Sequence, residues 1–166
     1  MFYLKLTIGI FIALLATRLI PHPPNFTSLI ALSFYVPLIF GSISIPIVLL
    51  SFVISDLFIG FHNVLFFTWG SVILIGLFSK FFTSLNLILR IFGVTSGALI
   101  FFITSNFGVW LSGGYGYTYS GLIECYFLAI PFFYNTLIST IIYAFLIESI
   151  FFIYKKKFQT KINFLS

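Results

Sequence analysis

Charged residues are scarce in this sequence. Only 7% of its 166 residues are charged, eight Lys or Arg and three Asp or Glu, whereas roughly 25% is usual in soluble domains. Hydrophobic residues make up 61%, and 25 residues are Phe, so a soluble globule could not cover its apolar area with so few charges. Disorder is excluded too, because disordered segments are poor in aromatic and β-branched residues. The composition predicts an integral membrane protein with at most about six spanning helices.

A basic stripe of the kind that binds nucleic acid is also lacking, although the net charge is +5. Half of the positive charge lies near the C-terminus, after a long apolar run, in Lys155, Lys156, Lys157 and Lys161. Such a cluster is typical of the cytoplasmic end of a membrane helix and is attracted to anionic lipid. We therefore expect membrane lipid as a partner and no nucleic acid. One transmembrane helical domain is predicted over residues 1–154, with a basic cytoplasmic tail over residues 155–166.

Apolar runs separated by helix breakers predict an all-α, integral membrane six-helix bundle. The first span is expected at residues 2–20, and it lacks the small-residue cleavage site of a signal peptide. Residues 26–61 are too long for one span and are interrupted at residues 41–46, which favours two short helices joined by a tight turn. Further spans are predicted at residues 64–78, 87–107 and 131–154. The runs lack the alternation of barrel strands.

The positive charges test this count. Six spans with both termini in the cytoplasm place Lys5, Lys80, Arg90 and the four C-terminal lysines inside, and leave only Arg18 outside. Five spans, with residues 26–61 as one helix, place as many charges inside, because Lys5 and Arg18 exchange sides. The charges thus predict the orientation in the membrane from His62 onward. They do not decide whether the first third of the chain crosses the membrane two or three times. We prefer six because a single helix over residues 26–61 needs too steep a tilt.

Polar residues collect at the predicted outer end, and charges within a membrane call for a partner or a function. Arg18 and Asp56 lie at similar depths, so they are expected either to form an ion pair that closes this end of the bundle or to bind a ligand. The polar and aromatic residues at this end are Arg18, His22, Asn25, Asp56, His62, Asn63, Asn106, Glu124, Trp110, Tyr115 and Tyr126.

Residues 112–121 form the longest predicted loop and contain four glycines and three tyrosines. Two interpretations stay open, a flexible lid over a site and an interfacial aromatic belt. The histidines, Cys125 and the nearby carboxylates have no metal-motif spacing, so neither a metal nor a cofactor is predicted. No Ser-His-Asp order or H-E-x-x-H sequence is present, so we expect a protein that is not an enzyme.

Two features of the helices predict contacts rather than chemistry. Gly9, Ala13 and Thr17 recur every four residues and give the first helix a smooth strip for close packing against another helix, in this chain or another subunit. Glu148 lies in the inner half of the last helix and is expected to pair within the bundle or with the C-terminal lysines.

Four strings resemble the signature blocks of a bacterial family. They are RLIPHPPNFT at residues 18–27, SDLFIGFH at 55–62, SNFGVW at 105–110 and CYFLAIPFFYNT at 125–136. The family is a domain-of-unknown-function family of proposed membrane transport proteins, which in turn resembles the substrate-binding (S) components of energy-coupling-factor vitamin transporters. The sequence departs from its pattern at Ser28, where proline is expected, at Tyr134, and at Ser139 and Thr140.

This resemblance implies six helices in the bacterial cytoplasmic (inner) membrane, both termini in the cytoplasm, and a binding pocket at the outer ends of the helices. It also implies a transmembrane coupling subunit with two ATPases, or no such partner in solitary members. In that arrangement the 112–121 loop is the lid, and the Gly9 strip faces the coupling subunit.

We therefore expect a membrane transport protein that binds a small, vitamin-like solute at its outer face for uptake. The alternative is a non-transporting membrane scaffold of an envelope complex, in which the outer polar residues pair with one another and leave no pocket. The predicted ligand-binding residues are Arg18, His22, Asn25, Asp56, His62, Asn106 and Trp110.

Overall fold

Six α-helices and two short 3₁₀ turns account for the secondary structure of the described residues, which are 2–83 and 86–163, with side chains described for 5, 7–83 and 86–153. In this computed structural model the all-α prediction is confirmed over that part of the chain. The helices are α1 (Phe2–Leu19), α2 (Leu29–Phe40), α3 (Ile45–Ile59), α4 (Leu65–Ser79), α5 (Leu87–Leu111) and α6 (Tyr119–Asn163).

Length and apolar character make four helical segments suitable for crossing a membrane, namely Ser42–Ile59, Leu65–Phe82, Leu87–Leu111 and Tyr119–Ile153. Two apolar helical segments are shorter, Thr7–Leu19 and Leu29–Phe40. Large apolar side chains such as Phe66, Ile88 and Phe127 are exposed on the outside of the bundle, which is the surface that lipid would cover. The fold is consistent with a multi-pass membrane protein.

The long apolar run over residues 26–61 is a helical hairpin, as predicted. It breaks at Gly41, whose φ of 81° is a conformation that favours glycine. A 3₁₀ turn, Ser42–Ser44, follows, and α3 begins with Pro46 in its first turn, where a proline leaves no helical hydrogen bond unmade. The five-span alternative needs one continuous helix here, and the structure has two.

The predicted start of the last helix is wrong. We expected it near Pro131, but α6 begins at Tyr119, and Pro131 lies inside the helix with its ring exposed. Prolines are tolerated within membrane helices because neighbouring groups satisfy the freed backbone carbonyl. The preceding loop is therefore residues 112–118, and Glu124 and Tyr126 are helical. The backbone of α6 continues to Asn163; the side chains of the predicted basic tail lie outside the described residues.

Helix α2 occupies the centre of the bundle. It contacts α3, α4, α5 and α6, while α1 packs against α3. One side of α2 joins a core shared with α1, α3 and α4 through Leu29 and Val36. The opposite side joins a second core with α4, α5 and α6 through Ile30 and Phe34. We name the end with the 20–28 and 112–118 loops the outer end, following the charge-based prediction, and the end with Gly41 the inner end.

At the inner end, Arg90 of α5 and Glu148 of α6 form an ion pair with two parallel hydrogen bonds. Arg90 Nε donates to Glu148 Oε1 over 2.6 Å, and a terminal nitrogen of Arg90 donates to Oε2 over 2.8 Å. This paired geometry is the strongest form of the interaction. It confirms the prediction that Glu148 pairs within the bundle.

Candidate functional site

A cavity of about 470 Å³ lies at the outer end of the bundle. Its volume falls within the range of roughly 300–1,000 Å³ typical of small-molecule sites. The walls come from the end of α1, the 20–28 loop, α2 to α6, the 60–64 loop between α3 and α4, and one residue of the 112–118 loop. Its polar lining residues are Arg18, His22, Asn25, Thr27, His62, Thr68, Ser105, Asn106, Tyr115, Cys125 and Thr136.

Five of the seven predicted ligand-binding residues line this cavity, which are Arg18, His22, Asn25, His62 and Asn106. They come from three separate stretches of chain, at residues 18–25, 62 and 106, and are brought together by the fold. The two others, Asp56 and Trp110, are not among the lining residues.

Asp56 is buried behind Arg18 and serves as its counter-ion. Arg18 Nη2 lies 2.7 Å from Asp56 Oδ1, and Arg18 Nη1 donates a hydrogen bond to the hydroxyl of Ser55. The other carboxylate oxygen of Asp56 accepts a hydrogen bond of 2.8 Å from Trp69 Nε1. The guanidinium carbon of Arg18 also lies 4.6 Å from the centre of the Phe52 ring. The predicted ion pair is confirmed, and it joins α1, α3 and α4 beside the cavity.

The 20–28 loop forms one rim of the cavity and is fixed at several points. Asn25 adopts a φ of 64°, a left-handed conformation that asparagine tolerates better than most residues. Asn135 of α6 donates a hydrogen bond of 3.1 Å to the carbonyl of Pro24. At the end of the loop, the hydroxyls of Thr17 and Ser28 lie 2.9 Å apart. Thr17 therefore contacts its own chain rather than presenting only a smooth face.

The 112–118 loop contributes a single side chain, that of Tyr115, to the cavity. Gly113 and Gly116 have φ values of 89° and 72°, which allow a tight turn between these two glycines. Trp110 packs against Tyr117, with ring centres 6.3 Å apart, rather than against the cavity. Whether this loop moves as a lid stays a prediction.

Deeper in the cavity the walls are aromatic and aliphatic. Phe101, Phe102 and Phe133 line it, and the Phe102 and Phe133 rings lie 4.7 Å apart between their centres. Nearer the rim, Cys125 donates a weak hydrogen bond of 3.4 Å to the carbonyl of Asn106. The cavity thus has a polar rim and an apolar floor, an arrangement suited to an amphipathic small molecule.

Comparison with protein-family models matches residues 2–161 to the family of unknown function DUF6580. The chain belongs to this family. No curated protein and no solved structure matches the chain. The family's description assigns no activity, and the cavity is the feature of this member that bears on its chemistry.

The cavity of this family member has basic side chains in its lining. Arg18, His22 and His62 line it, and none of the described lining residues is Asp or Glu. Among the described residues, no three His, Cys, Asp or Glu side chains lie close enough to hold a metal ion. The lining offers hydrogen-bond donors from Arg18, the amides and the hydroxyls, which suits a ligand rich in acceptors.

Several lining residues carry no signal that sequence reasoning detects. Thr27, Thr68, Ser105 and Thr136 are hydroxyl side chains within apolar runs, where they are as frequent in helix packing as in sites. Trp69, the second partner of Asp56, lies on a different helix, and nothing in the spacing links them. Thr27, Ser105 and Thr136 do fall within the strings that carry the family resemblance, which was the one available indication.

Proposed function

We propose that this protein is a membrane transport protein that binds a small solute in the outer cavity and takes part in its uptake. The observation that carries the proposal is the cavity of about 470 Å³ at the end of a membrane-type helical bundle. Five residues from separate stretches of chain supply its polar rim. A bundle selected only for packing would have closed this space, because empty volume within a core costs stability.

The solute is best described as amphipathic and neutral or anionic. Donors at the rim suit a carboxylate or several carbonyl groups, since no described lining residue is a carboxylate that would repel them. The apolar floor of Phe101, Phe102 and Phe133 suits a flat or aliphatic body. A vitamin-like molecule, bound at the outer face of a bacterial cytoplasmic membrane, meets this description.

We propose that any use of ATP belongs to another chain, because the sequence contains no nucleotide-binding motif. A transmembrane coupling subunit with ATPases is the partner that the family resemblance implies. Its presence is tested by the same purification that tests the solute.

The alternative, a membrane scaffold, is favoured by one specific observation. Arg18 and Asp56 are paired internally, as a scaffold predicts. A scaffold also predicts that no cavity lies beside that pair, so the cavity is the reason to prefer solute binding.

The experiment is native mass spectrometry of the protein extracted gently from its own membrane, compared with a cavity-filling variant. Ala129 is buried and lines the cavity, and the next residue, Ile130, is about half exposed on the outside of α6. We expect a stoichiometric polar metabolite on the wild type and on Ile130→Phe, and its loss from Ala129→Phe.

For Ala129→Phe we expect that loss because a phenyl ring occupies the space of the solute. The same spectra report any co-purifying ATPase. If a metabolite is found, cells lacking the chain should take it up more slowly. Reproducible lipid adducts alone, identical on all three proteins, would support the scaffold instead.

A further inference from the structure

A second cavity, of about 250 Å³, lies at the inner end of the bundle. Its polar lining residues are Tyr35, Thr83, Arg90 and Glu148, and the remaining walls are aliphatic and aromatic side chains of α2 and α6. Tyr35 is only 2% exposed, and its hydroxyl lies near Glu148 without forming a hydrogen bond of good geometry. A buried hydroxyl without a well-formed hydrogen bond is destabilising, so this cavity favours a polar occupant.

Both cavities are bounded by the same three helices. The outer cavity touches Ile30 of α2, Phe101 of α5 and Thr136 of α6. The inner cavity touches Tyr35 of α2, together with Arg90 and Glu148 on the other two helices. On α6, the lining residues of the two cavities are separated by about 16 Å along the helix axis, at about 1.5 Å per residue.

The core between the cavities includes the Phe34 ring together with Ile75 and several small residues. Phe34 is fully buried there, and its neighbours on α5 and α6 include Val94, Ala98 and Ala144. A Cβ atom on Gly93 would lie 2.7 Å from the tip of the Phe34 ring, so this glycine makes the space in which the ring sits. Opening a passage through this core would require the Phe34 ring to change its rotamer, because the ring is fully buried in it.

A ridge of α6 joins the two cavities. Thr136, Thr140, Ala144 and Glu148 follow one another at intervals of four residues and therefore lie along one side of the helix. Thr136 lines the outer cavity and Glu148 the inner one. Thr140, between them, is fully buried, and its hydroxyl has no hydrogen-bond partner in the described part of the chain.

We propose that the two cavities are the ends of one solute path between α2, α5 and α6, closed by the Phe34 ring and the Arg90–Glu148 pair. This inference rests on the proposed function of the outer cavity. The hydroxyls of Thr136, Thr140 and Tyr35 are the hydrogen-bonding groups that a polar solute meets along the path. The solute then passes between the helices of this protein. Opening of the path requires the Arg90–Glu148 ion pair at the inner end to separate.

Cysteine accessibility in membrane vesicles tests the path. Thr140→Cys is made in the full chain with Cys125→Ser, and the membrane-impermeant reagent sulfonatoethyl methanethiosulfonate is added to right-side-out or inside-out vesicles. The matched control is Ile142→Cys, because Ile142 lies on the same turn and is exposed on the outside of the bundle. The labelling rate is compared with and without Glu148→Gln, which breaks the pair while keeping the side-chain size.

We expect Thr140→Cys to react slowly in either orientation while the pair is intact. With Glu148→Gln the rate from the inner-cavity side should rise about tenfold, the effect of weakening the closed state by about 1.4 kcal/mol. The charge exchange Arg90→Glu with Glu148→Arg should return the rate to its low value. Phe34→Leu, which shortens the ring and leaves the pair in place, should raise the rate as Glu148→Gln does.

The inference is overturned if Thr140→Cys stays unreactive in both Glu148→Gln and Phe34→Leu, or if Ile142→Cys gains reactivity to the same extent. A bound metabolite in the native spectra, together with an unreactive Thr140→Cys, refutes the path and leaves the outer binding site standing. Absence of any metabolite, with an unreactive Thr140→Cys, refutes both.

Discussion

Replacing Asp56 by Asn removes the negative charge beside Arg18 while keeping the size of the side chain. The Asp56 side chain is fully buried and that of Arg18 is 13% exposed, so the substitution leaves a cation with little water and no counter-ion. Breaking a buried pair from one side costs about 3–5 kcal/mol. At roughly 2–4 °C per kcal/mol for a chain of this size, we expect the Tm to fall by about 10 °C.

The assay is thermal unfolding of the purified protein in detergent, followed by tryptophan fluorescence. Arg18→Gln should be similarly destabilising, because it leaves the carboxylate unpaired. The double variant should lose less than the sum of the two single changes, since neither charge is then left alone. The reasoning is refuted if Asp56→Asn has the same Tm as the wild type but no longer binds the solute. Asp56 would then contact the solute rather than hold Arg18.

Two further substitutions test single contacts. Trp69→Phe removes the indole donor to Asp56 and should lower the free energy of unfolding by about 1.5–3 kcal/mol, the effect of a hydrogen bond to a charged group, as measured by chemical denaturation. Gly121→Ala places a methyl group against the backbone carbonyl of Tyr115 and should cost about 1–3 kcal/mol. Its control, Gly114→Ala, meets no atom within 4 Å and should be neutral to about 0.5 kcal/mol in the same assay. An unchanged free energy of unfolding in Trp69→Phe would contradict the role of that hydrogen bond. Equal losses of stability in Gly121→Ala and Gly114→Ala would contradict the close packing of the loop on α6.

The lengths of the apolar runs predicted most of the fold. Gly41 and the prolines after Ile20 break the helices where glycine and proline are expected to. The same reasoning failed at Pro131, because a proline exposed on the outside of a membrane helix does not end it. Sequence patterns do not distinguish Pro131 from the prolines after Ile20, and only the packing around these prolines differs.

The candidate site was predictable to the extent that charge within a membrane needs a partner. That argument found the Arg18–Asp56 pair, but it placed both residues in the ligand-binding site. The structure separates them, because Arg18 lines the cavity and Asp56 is buried behind it. Trp69 could not be predicted as the third member, since contacts between side chains on different helices follow from how the helices pack and leave no trace in sequence spacing.

The most direct test of solute binding is an experimental structure of the protein purified from its own membrane without added ligand. We predict density for a small molecule in the outer cavity, with its polar groups toward Arg18 and Asn106 and its apolar part toward Phe133. A cavity that contains only water or a lipid acyl chain would contradict the account.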